Sequence, residues 1–227
     1  MELELKKECL DTYELGEPQT LTQEETAETI VPDYCPDIAR IISAEGVVCL
    51  HGGTEQDGVT GTVRVTVLYT PENESGVRAL EFAMPFSAQG EGLAGCAHVV
   101  VETEIELLES RMLNPRKIFT RCKLVTHLAG CRKVCLTISS DAETDPALLV
   151  EKRCCGQTVS LLRQVAEKDL TFSETMSLSL GREGAAELLH CRANGIVTET
   201  KAIGNKLIFK GVFLAVSYTH LTLPTNR

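Results

Sequence analysis

The residues best suited to chemistry are one histidine and two cysteines at intervals of four: His127, Cys131 and Cys135. Imidazole nitrogens and thiolates are the usual protein ligands of zinc. The surrounding sequence alternates as a strand does, and four residues of strand span roughly 13 Å. Because zinc holds its ligands at about 2.0–2.3 Å, one straight strand cannot bring all three to one ion. We therefore predict no metal and no cofactor. The alternative is a chain reversal at Gly130, which would fold His127 back towards the two cysteines and allow a zinc site.

Cysteine is abundant, and the vicinal pair Cys154–Cys155 is the most distinctive case. In a cytosolic chain we expect thiols that pack as small apolar side chains. Adjacent residues of an extended segment face opposite sides, so one member of this pair should be exposed. Cys154 and Cys155 are therefore candidate cross-linking thiols under oxidising conditions, and two packing thiols are the alternative. The other cysteines are at positions 9, 35, 49, 96, 122, 131, 135 and 191.

Acidic residues offer two further candidates. Asp33 and Asp37 flank a proline-rich turn and could form an acid/base pair or a calcium site, but a turn aspartate and a helix N-terminal aspartate explain them without chemistry. Glu102, Glu104 and Glu106 alternate along a predicted strand, which indicates a solvated face, with a basic partner as the alternative. A Gly-x-Ser-x-Gly nucleophile motif is absent. We predict that the chain is not an enzyme.

Composition narrows the class of partner. The 227 residues carry a net charge of −10 and no basic run, which disfavours nucleic acid and anionic membranes. No apolar stretch approaches the roughly 20 residues of a spanning helix, and no secretory signal is recognised, so we expect a soluble cytosolic protein. Aromatic residues make up 4% and tryptophan is absent, so the core must be aliphatic and aromatic platforms for sugars are scarce.

Period-two alternation of apolar and polar residues predicts a mainly β fold of antiparallel sheets or a sandwich with short helices. One helix is predicted over residues 34–42, where Ile38, Ile41 and Ile42 would share a face, and another over 184–189. A hairpin is predicted to turn at Gly204-Asn205. The predicted strands cover residues 47–51, 60–69, 80–86, 101–107, 118–126, 132–138 and 206–216.

A weak internal repeat suggests two modules. Leu21-Thr22-x-x-Glu25-Thr26 recurs 149 residues later as Leu170-Thr171-x-x-Glu174-Thr175, and Ala44-x-Gly46-x-Val48 recurs as Ala193-x-Gly195-x-Val197. Seven of 28 positions are identical between 21–48 and the second copy. We predict two tandem copies, the second truncated: a first module over 1–140, a linker region over 141–157 and a second module over 158–216.

The last eleven residues, 217–227, interrupt a strand pattern and have the character of translated adaptor sequence. We expect them to be non-native, and we expect the native protein to continue past residue 216.

Several segments resemble one known family. They are Thr20-Leu21-Thr22, the run Pro32-Asp33-Tyr34-Cys35-Pro36-Asp37-Ile38, residues 61–69, Asn114-Pro115-Arg116-Lys117 and residues 165–169. Together they resemble the SPOCS-domain family, whose members occur in endospore-forming Firmicutes in tandem copies, often ahead of a LysM module, in proteins of spore coat and cortex morphogenesis. The resemblance covers about residues 1–216. No LysM sequence is present here, and the family supplies no catalytic residues to transfer.

The resemblance implies a non-catalytic structural component of the spore envelope. It would be made in the mother-cell cytoplasm and located at the forespore surface or coat. Its partners would be itself or other coat and cortex proteins, with peptidoglycan bound only through a LysM module. A peptidoglycan- or glycan-binding module is the alternative function.

Overall fold

The computed structural model describes residues 4–51, 58–143, 151, 153, 156, 158–165, 171, 173, 175 and 186–221. These residues form strands and no helix, so the prediction of a mainly β fold is confirmed and that of short helices finds no support among them. In chain order the strands are β1 (Glu4–Leu15), β2 (Gln19–Ile30), β3 (Ile38–Leu50), β4 (Gly58–Pro71), β5 (Arg78–Gln89), β6 (His98–Asn114), β7 (Lys117–Glu143), β8 (Ala186–Ile203) and β9 (Lys206–Leu221).

The first sheet is organised by β7, which has 27 residues and spans roughly 90 Å. On one edge, β2 pairs with its first half and β1 with its second half, both antiparallel. The N–H of Gly16 donates to the carbonyl of Gly130 (2.8 Å), so β1 and β2 follow one another along that edge. On the opposite edge, β6 pairs with the first half of β7, from Lys117 to Cys131.

The second sheet is the antiparallel meander β3-β4-β5, and it packs on the first to form a sandwich. Alternate residues of β4 point inward, as the sequence pattern predicts. Because the inner faces are aliphatic, burial supplies the driving force, about 1.5–3 kcal/mol for each large side chain. The buried side chains that form this core include Val63, Val65, Val67, Tyr69, Leu80, Met84, Phe86, Ile118, Cys122 and Leu124.

The helix predicted over residues 34–42 is wrong, because β3 begins at Ile38. The register of β3 against β4 shifts twice, between Ile38 and Arg40 and between Ile41 and Ser43. Each bulge adds one residue, so Ile38, Ile41 and Ala44 all face the core at intervals of three. Helix-like spacing thus arises from an irregular strand, and Ile42, expected on the buried face, is 51% exposed.

The strands predicted over 118–126 and 132–138 are one strand, since β7 runs through Gly130 without turning. A Cβ at Gly130 would lie 2.5 Å from Sγ of Cys96 and 3.3 Å from a Leu93 methyl. The glycine therefore allows the 90–97 loop to approach the sheet closely, and it does not reverse the chain. The strand also continues to Glu143, three residues beyond the predicted module boundary at 140.

The third sheet is the hairpin β8–β9. It turns at Gly204, which has φ +59°, and Asn205, as predicted. The helix predicted over 184–189 is wrong from Ala186 onward, where β8 begins. Both copies of the Ala-x-Gly-x-Val motif lie in the first strand of an antiparallel hairpin, β3 and β8. The tandem-module hypothesis itself stays a prediction.

Strand β9 continues through Leu221, so residues 217–221 of the suspected adaptor tail extend the hairpin. Residues 222–227 lie outside the described residues.

We predict that Gly130→Ala lowers the free energy of unfolding by about 1–3 kcal/mol, because its methyl group would overlap Cys96. Cys96→Ala in the same chain should recover much of this loss. Urea unfolding of the wild type, both single variants and the double variant measures the coupling. Strictly additive effects would contradict the proposed close approach.

Candidate functional site

Two of the segments that carry the family resemblance, residues 32–38 and Asn114–Lys117, meet at one place in the structure. Residues 31–37, called here the junction loop, lead the chain from β2 in the first sheet to β3 in the second. The turn at Asn114–Lys117 joins β6 to β7 and lies against this loop. The N–H of Val31 donates to the carbonyl of Arg116 (2.9 Å), and the N–H of Ile38 donates to the carbonyl of Pro115 (2.9 Å).

The guanidinium of Arg116 holds the junction loop through four hydrogen bonds. Nη1 donates to the carbonyl of Cys35 (2.8 Å) and to Oδ1 of Asp37 (3.0 Å). Nη2 donates to the carbonyl of Val31 (2.9 Å) and to Oδ1 of Asp33 (3.1 Å). Only arginine offers several donors in one rigid plane, so a single side chain satisfies two loop carbonyls and two carboxylates. We call this arrangement the Arg116 clamp.

The two aspartates are therefore explained by this one cation. Asp33 and Asp37 each accept an N–H from Arg116, which neutralises part of their mutual repulsion. Asp33 lies in the loop, in keeping with a turn aspartate. Asp37 does not begin a helix, and that interpretation is wrong: its carbonyl accepts the N–H of Glu72 (2.9 Å), which ties the loop to the end of β4.

A buried tyrosine of β4 also binds the junction loop. The hydroxyl of Tyr69 donates to the carbonyl of Pro36 (3.3 Å), and the Tyr69 side chain is fully buried. Burial, together with the neighbouring Cys35 thiol, raises the pKa of Tyr69 from 10.0 to about 12. Within the motif segment the Tyr34 side chain is 88% exposed, and Ile30, which directly precedes the loop, is 71% exposed. The loop thus combines a fixed backbone with an exposed aromatic ring.

His127, Cys131 and Cys135 lie along the single strand β7 and do not converge. Nδ1 of His127 is 3.1 Å from the Thr20 hydroxyl, Cys131 is buried, and Cys135 forms a disulfide with Cys9. The alternative of a reversal at Gly130 is wrong. Within the described part of the chain, no three His, Cys, Asp or Glu side chains are placed to share a metal ion.

The Cys9–Cys135 disulfide links β1 to β7 across 126 residues of sequence, with Cα atoms 5.7 Å apart. The expectation of thiols throughout is therefore wrong for this pair. Cys122 and Cys131 are buried, as expected for packing thiols, and burial raises the pKa of Cys122 from 9.0 to about 11. The candidate cross-linking thiols Cys154 and Cys155 lie outside the described residues.

The glutamate row on β6 is exposed, as predicted for a solvated strand face. Glu106 pairs with Lys123 of the neighbouring strand at 2.9 Å. Further along this surface, the guanidinium of Arg111 lies 4.9 Å from the centre of the Phe119 ring. That ring face is therefore already in contact with a cation.

Comparison with protein-family models, curated proteins and solved structures found no match to this chain. The described residues include no helix that could span a membrane.

We predict that Arg116→Lys lowers the free energy of unfolding by about 2 kcal/mol, because one ammonium group cannot reach four acceptors in one plane. Arg121→Lys is the matched control, since Arg121 makes one exposed ion pair with Glu24. We expect the control to change stability much less. Equal losses in urea unfolding would show that the Arg116 clamp contributes no more than a surface ion pair.

We predict that the free energy of unfolding falls at alkaline pH because Tyr69 is buried. The unfolded chain loses the Tyr69 proton near pH 10, whereas the folded chain retains it to about pH 12. Between these values the unfolded state binds fewer protons, so the free energy of unfolding falls as pH rises. A difference of two pKa units corresponds to about 3 kcal/mol, present below pH 10 and lost by about pH 12.

Tyr69→Phe should therefore give a shallower decline of stability over that pH window, measured by urea unfolding at several pH values. Tyr34→Phe, at an exposed position, should decline as the wild type does. Identical slopes for wild type and Tyr69→Phe would contradict the burial of an ionisable tyrosine.

Proposed function

We propose that this chain is a non-catalytic structural component of the bacterial endospore envelope that acts through protein–protein interaction. It would serve coat and cortex morphogenesis from the mother-cell cytoplasm, at the forespore surface. The family and the location come from the resemblance of the junction loop and of the Asn114–Lys117 turn to SPOCS-domain proteins. The proposed mode of action rests on two exposed surfaces, the β8–β9 hairpin and the junction loop.

One observation carries the mode of action: the β8–β9 hairpin exposes apolar side chains on both of its faces. Soluble monomers rarely expose contiguous apolar surface on this scale, and such surface usually marks a site of association. A two-stranded ribbon is also marginally stable on its own in water, so it gains from being covered. The exposed side chains, 42% to 64% accessible, are Leu188, Ile196, Val197, Ile203, Leu207, Ile208, Phe209, Val212, Phe213, Leu214 and Val216.

The junction loop supports the same interpretation. Its two carboxylates each form an ion pair with Arg116, which supports a structural role for them. Tyr34 is exposed on a loop whose backbone the Arg116 clamp fixes. An exposed aromatic side chain on a fixed backbone is typical of an anchor in a protein interface.

The test is localisation in a sporulating Firmicute that produces a fluorescent fusion of the full chain. We expect fluorescence at the forespore surface, and we expect the chain to fractionate with the coat of mature spores. Val212→Lys with Leu214→Lys should reduce this incorporation, because both side chains are apolar and exposed on one face of the hairpin. Thr200→Lys, at an exposed polar position of β8, is the matched control.

Diffuse fluorescence in the mother cell and absence from purified spores would contradict the proposal. Saturable binding of the purified chain to cortex peptidoglycan would favour a glycan-binding module instead. Phe119 lines one broad surface depression, and Arg111 already covers one face of its ring.

A further inference from the structure

The β8–β9 hairpin has two unlike faces, and one of them carries no charge. Side chains alternate along both strands, and the bulge between Val197 and Glu199 shifts this alternation in β8 by one residue. The odd-numbered residues of β9 from Leu207 to Ser217 therefore share a face with their β8 partners, which run from Cys191 to Ala202. None of these residues is charged, and we call this surface the uncharged face.

The opposite face is charged, and its base lies against the sandwich. On this face Glu199 pairs with Lys210 at 3.3 Å. His190 belongs to the same face, because its ladder partner, residue 218, lies an even number of residues from Lys210. Nε2 of His190 is 3.3 Å from Oε2 of Glu45 on β3. The uncharged face is therefore directed away from the sandwich of its own chain.

The Ala-x-Gly-x-Val motif shows what a face of this composition contacts when it is covered. In β3 the motif faces the core, and a Cβ at Gly46 would lie 2.8 Å from a methyl group of Ile105 on β6. In β8 the same motif lies on the uncharged face, where Val197 is 62% exposed. The motif in β3 is thus covered by the apolar face of another sheet, and the surface that fits the motif in β8 is of the same kind.

The uncharged face is complementary to itself in size. Large side chains lie near the turn, with Leu207 64% and Phe209 58% exposed, and the small residues Ala215 and Ser217 lie near the base. If two copies stack face to face in opposite directions, Leu207 lies over Ser217 and Phe209 lies over Ala215. Stacking in the same direction would place large side chains on each other and leave space between the small ones. Because packed sheets interdigitate without voids, the opposite directions fit better.

The centre of the face follows the same rule. The ring of Phe213 lies against Gly195 of its own hairpin, since a Cβ at that glycine would be 3.0 Å from the ring. The facing level of the second copy holds Val197 and Gly211. Phe213 therefore fits over Gly211 and beside Val197, and each level contributes one large side chain. Contacts of this isologous kind close into a dimer.

We propose that the uncharged face of the β8–β9 hairpin packs on the same face of a second copy of this chain, with the two hairpins running in opposite directions. The two ribbons then form a small two-layered core, and the two sandwiches lie at opposite ends of it. A ribbon that is marginally stable on its own gains a covering layer in this way. This inference names the partner and the face for the association proposed above, and it rests on that role.

Chemical cross-linking of the full chain tests the direction of the two hairpins. In this pairing Ala202, near the turn of one copy, lies over Cys191, an exposed thiol at the base of the other. Ala202→Cys treated with a short bismaleimide should give a covalent dimer on denaturing gels. The reagent adds one thiol to each of its two double bonds and spans the roughly 10 Å between packed sheets.

Two controls accompany the cross-linking. The wild type sets the background from the native thiols, and Cys191→Ser in the Ala202→Cys chain should abolish the new product. A cross-linked dimer that persists without Cys191 would join the two turns to each other, which contradicts the proposed direction.

Sedimentation velocity over a range of concentrations measures the dimer itself. The wild type should dimerise as its concentration rises. Ala215→Lys should weaken the dimer roughly tenfold or more, because it places a charge beneath Phe209 on a face that has none. Leu214→Lys is the matched control, since this neighbouring residue is 60% exposed and lies on the charged face. It should dimerise as the wild type does.

A dimer that is unchanged in Ala215→Lys, or equally weakened in both lysine variants, would overturn this pairing. So would a wild type that is monomeric at every concentration. Failure of the pairing is distinguishable from failure of the proposed function, because a monomeric chain that still enters the spore coat retains the assembly role. A chain that dimerises but stays out of the spore would retain the pairing and lose that role.

Discussion

The structure depends first on the passage of the chain from one sheet to the other. A chain that leaves the hydrogen-bonded edge of β2 and enters β3 exposes backbone groups that no strand can satisfy. The Arg116 clamp meets this requirement by donating to the carbonyls of Val31 and Cys35, while Tyr69 donates to the carbonyl of Pro36. Because Arg116 lies in the β6–β7 turn, one side chain fixes the position of the junction loop relative to both sheets. Two of the segments in which the resemblance was noted, residues 32–38 and 114–117, thus fix the junction between the two sheets.

The length of β7 imposes the second constraint. Its first half is covered on one face by the second sheet and has a strand on each edge. Among the residues that the structure describes, its second half pairs with β1 alone. The Cys9–Cys135 disulfide holds that half together across a loop of 126 residues. In the chain-entropy model, a closure of this length stabilises the folded arm by about 5 kcal/mol. A single strand therefore serves both as the centre of a core and as a projecting surface.

The sequence predicted those features that depend on local alternation. The inward faces of β4 and β5, the glutamate face of β6 and the turn at Gly204 follow from period two and from turn chemistry. Predictions from local sequence are wrong where neighbouring strands alter the pattern. The bulges in β3 place Ile38 and Ile41 three residues apart on the buried face, a spacing that resembles a helix. Gly130, which local sequence suggests to be a turn, is instead required by the close approach of Cys96.

The candidate site was predicted only in part. Asp33 lies in a turn, as predicted, but Arg116, the cation that binds Asp33 and Asp37, is 79 residues from Asp37 in sequence. Nothing in the local sequence marks Arg116 as the partner of these aspartates. The same holds for Cys9 and Cys135, whose pairing depends on the register of β1 against β7. Long-range contacts of this kind follow from the fold and not from composition or spacing.

We infer that this chain acts through exposed apolar surfaces, and the β8–β9 hairpin is the clearest example among the described residues. Amide hydrogen exchange, compared between dilute and concentrated solutions of the full chain, tests whether a second copy covers this hairpin. We expect amides of residues 196–216 to gain protection at high concentration, while those of the sandwich strand β4 are unchanged. Equal exchange of residues 196–216 at both concentrations would contradict association through the hairpin.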